Sequence, residues 1–150
     1  MFKLLAIGLV VFPLTVSAGL NKNFELRDHR GYLEIRNGTY ECESQSGRDD
    51  GLKKEKIPVG LYVEKIKDNE LFFTVNLDNG IHLTSPELSK SPSKSADFVV
   101  YSRVTNNKEK SIWSLQSTEK SGVEGMVIKT GGGSEMAMVI KNCQLIRNLE

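Results

Sequence analysis

Residues 70–84 read ELFFTVNLDNGIHLT, and this stretch decides the fold. Every second residue from Leu71 to Leu77 is apolar, so an extended chain gathers these side chains on one face. The triplet Asp78-Asn79-Gly80 follows at once, and it favours a tight hairpin because Asn and Gly tolerate positive φ. The stretch therefore predicts two antiparallel strands, with the return strand at 81–84.

The same alternation recurs on both sides of this hairpin. Short period-two segments are separated by turn residues such as Asn106-Asn107-Lys108 and Ser121-Gly122. Residues 85–95, SPELSKSPSKS, contain two prolines and five serines, which predicts a loop. We predict about eight antiparallel strands, at 38–42, 59–64, 70–77, 81–84, 98–104, 112–116, 123–130 and 135–146.

The opening eighteen residues are typical of a secretory signal peptide. Lys3 makes the N-terminal region positively charged, and Leu4 to Val11 form an apolar run. Val16-Ser17-Ala18 is a cleavage-site motif of small residues. We expect the mature protein to begin at Gly19 and to be exported to a periplasmic or extracellular, oxidising compartment. The apolar run is too short to span a bilayer, and no Cys stands at the expected cleavage point. These features predict no membrane anchor in the mature protein.

The two cysteines bear on how the strands are arranged. Cys42 lies in the first predicted strand and Cys143 in the last, and two thiols in an exported domain most simply form one disulfide. A bridge needs Cα atoms within about 7 Å, whereas an open meander holds its end strands at opposite edges. The pair therefore predicts an all-β meander that closes into a barrel, or at least a two-sheet sandwich. A reactive or redox pair is the alternative, which the absence of Cys-x-x-Cys disfavours.

The balance of charged residues limits the classes of partner that we expect. Beyond residue 18 the basic and acidic residues are equal in number, so electrostatics give no reason to expect nucleic acid or an anionic membrane.

We divide the chain into a signal peptide at 1–18, an N-terminal arm or short helix at 19–37, and a single antiparallel β-barrel domain at 38–150. Residues 20–36 fit neither the helical nor the strand period, so a short helix, an extended arm and an extra strand all stay open.

No constellation of residues indicates catalysis or cofactor binding. His29 and His82 are the only histidines, and neither has carboxylate or sulfur partners at metal-ligand spacing. The sequence has no G-x-S-x-G nucleophile motif, and the glycine-rich stretch 129–134 lacks the phosphate-loop pattern. We expect solvated histidines, a hairpin turn at 129–134, a solvated turn at 47–51, and no catalytic, metal or cofactor site.

A set of large apolar side chains could line a cavity inside the barrel. Methionine adapts to variable apolar ligands, and aromatic residues on neighbouring strands would complete the lining. The alternative is a packed interior, since eight strands leave room for little beyond side chains. The loop at 85–95 is expected to cap one mouth of the barrel and is the first place to seek a partner surface. The candidate lining consists of Phe73, Tyr101, Trp113, Met126, Met136 and Met138.

Tyr40-Glu41-Cys42 and Asn142-Cys143-Gln144-Leu145 resemble the cysteine contexts of the bacterial membrane-bound inhibitors of c-type lysozyme. The resemblance covers only these residues, and it implies a small secreted eight-stranded barrel. The predicted closed barrel is thus lysozyme-inhibitor-like or lipocalin-like. Members of that family inhibit through a loop of the form S-G-x-x-Y. The two Ser-Gly pairs here, Ser46-Gly47 and Ser121-Gly122, lack this Tyr, so the resemblance assigns no functional residue.

Together these features predict an exported, non-catalytic binding protein. Its partner is expected to be a small apolar molecule inside the barrel or a protein at the loops. Inhibition of a lysozyme-type cell-wall hydrolase is the alternative that the resemblance implies, and an enzyme of unknown class is the second alternative.

Overall fold

Ten strands make up the computed structural model, which describes residues 27–107, 109–131 and 133–149. No helix occurs among these residues. The strands are β1 (Gly38–Arg48), β2 (Gly51–Leu52), β3 (Ile57–Lys67), β4 (Glu70–Leu77), β5 (His82–Thr84), β6 (Leu88–Lys90), β7 (Phe98–Asn106), β8 (Lys110–Thr118), β9 (Gly122–Gly131) and β10 (Ser134–Asn148).

Eight of these strands close into an antiparallel barrel. The order around the barrel is β1, β3, β4, β6, β7, β8, β9 and β10, and β10 pairs back onto β1. The short strand β2 pairs only with β1, and β5 pairs only with β4, so these two are additions to the barrel wall. The predicted all-β fold and the closed barrel of eight strands are confirmed.

The seam between β1 and β10 closes the barrel. Backbone pairing runs from Gly38 opposite Asn148 to Gly47 opposite Ala137, with two register shifts on the way. Asn142 adopts a left-handed conformation at one of these shifts, with φ of 55°, as an inserted residue in a bulge commonly does. Cys42 and Cys143 form a disulfide in the same seam, and their Cα atoms are 4.1 Å apart. The predicted disulfide is confirmed.

The interior of the barrel is built by the alternating positions of the strands. In β4 the residues with inward side chains are Leu71, Phe73 and Val75, and all three are fully buried. The same alternation in β8 buries Trp113 and Leu115. Because every second residue of each strand points inward, these side chains meet in one contiguous cluster along the barrel axis.

The predicted loop at 85–95 contains a strand that the sequence analysis missed. Leu88–Lys90 forms β6, which pairs with β4 on one side and with β7 on the other. Leu88 is completely buried, whereas the prolines and serines around it made this stretch look like a loop throughout. A three-residue strand with one buried side chain is too short to show a period.

The N-terminal segment, residues 27–37, is a tight turn followed by an extended run. Arg27 and Leu33 form an isolated antiparallel bridge around a turn at residues 28–31. Leu33 and Ile35 are buried and join the core. Of the three possibilities left open for this part of the chain, the described residues contain an extended arm with one β-bridge. The predicted signal peptide and residues 19–26 lie outside the described residues.

The N-terminal segment packs at one end of the barrel, which we call the covered end. The β3–β4 turn, the β8–β9 turn and residues 91–97 lie at this end, as the strand registers require. The amide of Leu33 donates to the carbonyl oxygen of Ala96 at 2.8 Å, which ties the segment to the β6–β7 connection. We call that connection, residues 91–97, the serine loop. The β4–β5, β7–β8 and β9–β10 turns lie at the opposite end.

Candidate functional site

Four of the six side chains predicted to line a cavity lie together in the barrel core. Phe73, Tyr101, Trp113 and Met138 are between 0% and 5% exposed and belong to one buried cluster. The rings of Phe73 and Trp113 meet edge to face, with their centroids 5.9 Å apart. These contacts occupy the middle of the barrel with side chains, as is usual for eight strands.

The other two methionines lie elsewhere. Met136 is half-buried and pairs with Lys129 near the end of the barrel opposite the N-terminal segment. The Lys129 ammonium lies 5.4 Å from the centre of the Trp113 ring, which it meets through a cation–π contact. Met126 lies on the outer wall, because its neighbours Gly125 and Val127 are the buried positions of β9.

A concave site lies instead at the covered end, where Arg27 joins three elements. Its guanidinium donates to the carbonyl oxygen of Gly31 at 2.7 Å and to that of Ala96 at 3.3 Å. It also contacts the carboxylates of Asp97 at 2.8 Å and Glu119 at 3.6 Å. Arg27 thereby fixes the N-terminal turn against the serine loop and against the β8–β9 turn.

The Asp28 carboxylate makes several of the hydrogen bonds within the N-terminal turn. Asp28 accepts hydrogen bonds from the backbone amides of Arg30 at 2.9 Å and Tyr32 at 3.0 Å. The Arg30 guanidinium adds contacts of 3.1 and 3.2 Å to the other oxygen. The amide of Tyr32 is the main cause of the lowered pKa of Asp28, and Arg30 lowers it further. Gly31 closes the turn with φ of 84°, which an L side chain rarely adopts.

Two adjoining pockets open between the N-terminal segment and the serine loop. One has a volume of about 310 Å³ and the other about 500 Å³, and they share Arg30, Leu33 and Lys90. We call their combined surface the Lys90 cleft. The smaller pocket also contains Tyr32, Ser93, Ser95, Phe98 and Val99, and the larger one contains Arg27, Asp28, His29, Glu34, Arg36, Lys65, Asp68, Asn69 and Tyr101.

The larger pocket carries an excess of positive charge. Five cationic side chains and three acidic ones line it, and His29 lies beside them. Lys65 is neutralised by an ion pair with Glu34 of the N-terminal segment, and both side chains are largely screened from solvent. A third concave surface, of about 380 Å³, adjoins the cleft at Lys90 and is lined by Asn69, Ser89, Ser91 and Pro92 among others. Lys90 is therefore common to three concave surfaces.

Tyr101 lies where the cleft meets the core. Its hydroxyl donates to the carbonyl oxygen of Asp68 at 3.3 Å. Burial, followed by the nearby carboxylates of Glu34 and Asp68, raises the pKa of Tyr101 to about 12. The phenol therefore stays protonated at neutral pH.

An acidic groove of about 550 Å³ runs over the outside of the β1–β10 seam. Glu41, Glu43 and Asp78 line it, beside Cys42. The Asn142 side-chain amide donates to Glu43 at 2.7 Å and is the main cause of the lowered pKa of that carboxyl, and Lys56 lowers it further at 3.1 Å. Because Glu43 is already paired, the groove carries less uncompensated charge than its composition indicates.

The remaining candidates from the sequence lie apart from the cleft, with His29 as the exception. His82 is exposed on β5, and its Nδ1 lies 2.6 Å from the side-chain oxygen of Asn76. Across the described ranges, no group of three or more His, Cys, Asp or Glu side chains is placed to hold a metal ion. The part of the chain that the structure describes contains no helix capable of crossing a membrane.

Sequence reasoning indicated the loop at 85–95, which overlaps the serine loop, as a partner surface but missed the N-terminal side of the cleft. Arg27 and Asp97 are 70 residues apart in the sequence, and only the folded chain brings them together. The one local signal was the spacing Asp28-x-x-Gly31, which is typical of a turn. Lys90 lies within the predicted loop at 85–95, but its position at the end of a strand could not be predicted because β6 was missed.

Comparison of the chain with protein-family models, with curated proteins and with solved structures gives no match. Interpretation of the site therefore rests on its own geometry and chemistry.

Proposed function

We propose that this chain is an exported, non-catalytic binding protein whose ligand binds in the Lys90 cleft. The observation that carries this proposal is the meeting of three concave surfaces at Lys90. The volumes of these three surfaces, about 310, 500 and 380 Å³, lie at the lower end of the range that small-molecule pockets occupy. The side chains that fill the barrel core favour a surface cleft over an internal cavity.

Two titratable groups of the cleft, Asp28 and Tyr101, have pKa values shifted away from neutrality, which favours a structural role for them. A general acid or base works best when its pKa lies near the working pH. The pKa of Asp28 is lowered by its hydrogen bonds, and that of Tyr101 is raised to about 12 by burial. Both groups are thus moved away from neutrality, as expected of side chains that shape a site and do not exchange protons there.

Export is proposed from two features. Residues 1–18 have the pattern of a secretory signal peptide, and the barrel contains a disulfide between Cys42 and Cys143. Disulfides of this kind persist in oxidising compartments and are rare in a reducing cytosol. Mass spectrometry of protein recovered from an exporting host should give a chain that starts at Gly19 and contains no free thiol. A full-length chain with two free thiols would contradict export.

Binding at the cleft can be mapped without knowing the ligand. We would screen a library of soluble metabolites and saccharides by ¹H–¹⁵N NMR spectra of the exported protein. The expected result is that ligands shift the amides of residues 27–37 and 89–99 and leave those of the β9–β10 hairpin unchanged. Shifts centred on core residues such as Phe73 and Trp113 would overturn the proposed site, and turnover of any compound would overturn the non-catalytic assignment.

Inhibition of a lysozyme-type hydrolase is a second candidate. The observation that favours it is the closed eight-stranded barrel, which is the architecture that the resemblance implies. A turbidity assay on cell-wall suspensions with lysozymes of several types tests it directly. Slowed clearing supports inhibition, and unchanged clearing at a large molar excess of the protein removes this candidate.

A further inference from the structure

The cationic group at the centre of the cleft is placed there by the alternation of β6. Leu88 is buried in the core, and Lys90 lies two residues further on, so its side chain starts from the same inward face. Lys90 is the last residue of β6 and pairs with Tyr101 at the covered end. Its side chain therefore starts from the inward face at the mouth of the barrel, where the residue is exposed to solvent.

Lys90 differs from Arg27, Arg30 and Lys65, each of which forms an ion pair with a carboxylate. Glu34 neutralises Lys65, and Asp28 neutralises Arg30. Within the described residues Lys90 forms no ion pair, although it lines all three concave surfaces. An unpaired cation that lines three concave surfaces favours an anionic group from a ligand.

The serine loop supplies hydrogen-bond donors beside this cation. The Ser93 hydroxyl oxygen accepts the amide of Ser95 at 3.1 Å, and the Ser95 hydroxyl oxygen accepts the amide of Asp97 at 3.2 Å. These bonds fix the two oxygens and leave each hydroxyl proton to be donated. Both serines line the smaller pocket with Lys90, so the pocket presents several donors and no acidic side chain.

The other wall of the smaller pocket is apolar and aromatic. Leu33 and Val99 are buried beneath it, whereas Tyr32 and Phe98 are 44% and 37% exposed at its rim. Such a surface accepts the carbon–hydrogen face of a saturated ring while the polar wall binds its substituents. The third concave surface continues from Lys90 past Ser89, Ser91 and Asn69, which gives polar contacts for further units of a chain. Glu70 also lines this surface, and its carboxylate is paired with the Lys67 ammonium at 3.0 Å.

We propose that the Lys90 cleft binds an acidic oligosaccharide, with the carboxylate of one sugar acid on Lys90, Ser93 and Ser95. The sugar ring lies against Tyr32 and Phe98, and neighbouring units extend over Ser89 and Asn69. This inference rests on the proposed binding function and names the class of ligand for it. An exported protein encounters such polymers at cell surfaces, where their carboxylates are ionised.

The experiment titrates the exported protein with a tetrasaccharide of galacturonic acid and follows the amide spectrum. Maltotetraose serves as the neutral probe of equal length, and sodium sulfate serves as a simple anion. We expect the uronate to shift Leu33, Ser93 and Ser95 while the other two probes do so at least tenfold more weakly. Raising the salt concentration should weaken uronate binding, since a charge contact carries it.

A matched pair of variants tests the role of the cation. Lys90→Gln and Lys110→Gln change the net charge equally, but Lys110 lies at the opposite end of the barrel. We expect Lys90→Gln to weaken uronate binding roughly tenfold to a hundredfold, as loss of a charge-assisted hydrogen bond does, and Lys110→Gln to leave it unchanged. Both lysines are exposed, so neither change should disturb the fold.

Any of the following results would overturn the inference that the Lys90 cleft binds an acidic oligosaccharide. Equal shifts from maltotetraose would make the site a neutral-sugar site, and full competition by sulfate would make it a simple anion site. Equal weakening by the two variants would assign the effect to net charge. No shift by any of these three probes would reject acidic oligosaccharides. The proposed function would instead fail if the ligand screen mapped binding elsewhere or if the protein turned over a compound.

Discussion

Cys42 and Cys143 are joined by a disulfide that spans 101 residues and connects the first strand of the barrel to the last. The backbones of the same two strands pair from Gly38 to Gly47 on the β1 side. A covalent bond and a ladder of hydrogen bonds therefore hold one seam. Because the ladder closes the barrel by itself, we expect the disulfide to add stability without determining the topology.

Removal of the disulfide should lower the free energy of unfolding while leaving the barrel intact. The double variant Cys42→Ala/Cys143→Ala is expected to lose about 4 kcal/mol, because a loop of this length is released in the unfolded chain. Urea unfolding monitored by tryptophan fluorescence measures the loss. Each single variant should lose a similar amount, since either change opens the same loop. A double variant as stable as the oxidised protein, or one with a changed amide spectrum, would contradict this account.

Two glycines of the barrel wall should respond differently to alanine. Gly38 has φ of 147°, and a Cβ there would lie 2.1 Å from the carbonyl oxygen of Arg147. At Gly60 the nearest atom would be 3.7 Å away, which is ordinary contact. We expect Gly38→Ala to cost about 2 kcal/mol or more, and Gly60→Ala to be neutral or slightly stabilising. Urea midpoints compare the two variants directly, and equal midpoints would refute the close approach at the seam.

Stability should decrease at alkaline pH because of Tyr101. Its pKa is about 12 in the folded protein, against about 10 in an unfolded chain. The folded state therefore keeps a proton that the unfolded state has lost, and the stabilisation is complete below about pH 10 and disappears as pH rises towards 12. The free energy of unfolding of the wild type, measured with urea, should fall more steeply between about pH 10 and pH 12 than that of Tyr101→Phe. Parallel pH profiles would show that Tyr101 is not the group responsible.

The strands could be predicted where one face is apolar and the turn residues are strong. The hairpin at 70–84 shows both signals, and Cys42 with Cys143 predicts that the sheet closes. β6 was not predicted, because its one buried residue, Leu88, is surrounded in the sequence by prolines and serines. In β9 the alternation was ambiguous, since Met126 and Val127 are both apolar and only the register places Val127 inside.

The cleft could be predicted only in part, because its two walls come from parts of the chain that are distant in the sequence. Its serine loop shows in the composition of residues 85–95, but its other wall comes from residues 27–37, which have no clear period. The two walls meet through Arg27 and through the bond between Leu33 and Ala96. Contacts between such distant parts of a chain depend on the closed barrel and leave no pattern in the local sequence.

Two buried serines of β8 offer a matched test of the core. The Ser111 hydroxyl oxygen accepts the indole N–H of Trp113 at 2.9 Å and is also bonded to the hydroxyl of Thr105. Ser117 is fully buried on the same face of the strand, and its hydroxyl has no hydrogen-bond partner among the described residues. The Ser111 hydroxyl thus forms hydrogen bonds with its neighbours. The Ser117 hydroxyl is buried away from water and forms no hydrogen bond among the described residues.

We therefore expect opposite effects from the same substitution. Ser111→Ala should cost about 1 to 3 kcal/mol, because it leaves the buried indole N–H of Trp113 unpaired. Ser117→Ala should be neutral or stabilise by up to about 1 kcal/mol, because it removes a desolvated group that makes no bond. Urea unfolding gives both values, and the two variants share strand, residue type and volume change. A larger loss at Ser117 than at Ser111 would mean that the hydroxyl of Ser117 is hydrogen-bonded in solution, since only a bonded group costs free energy to remove in this way.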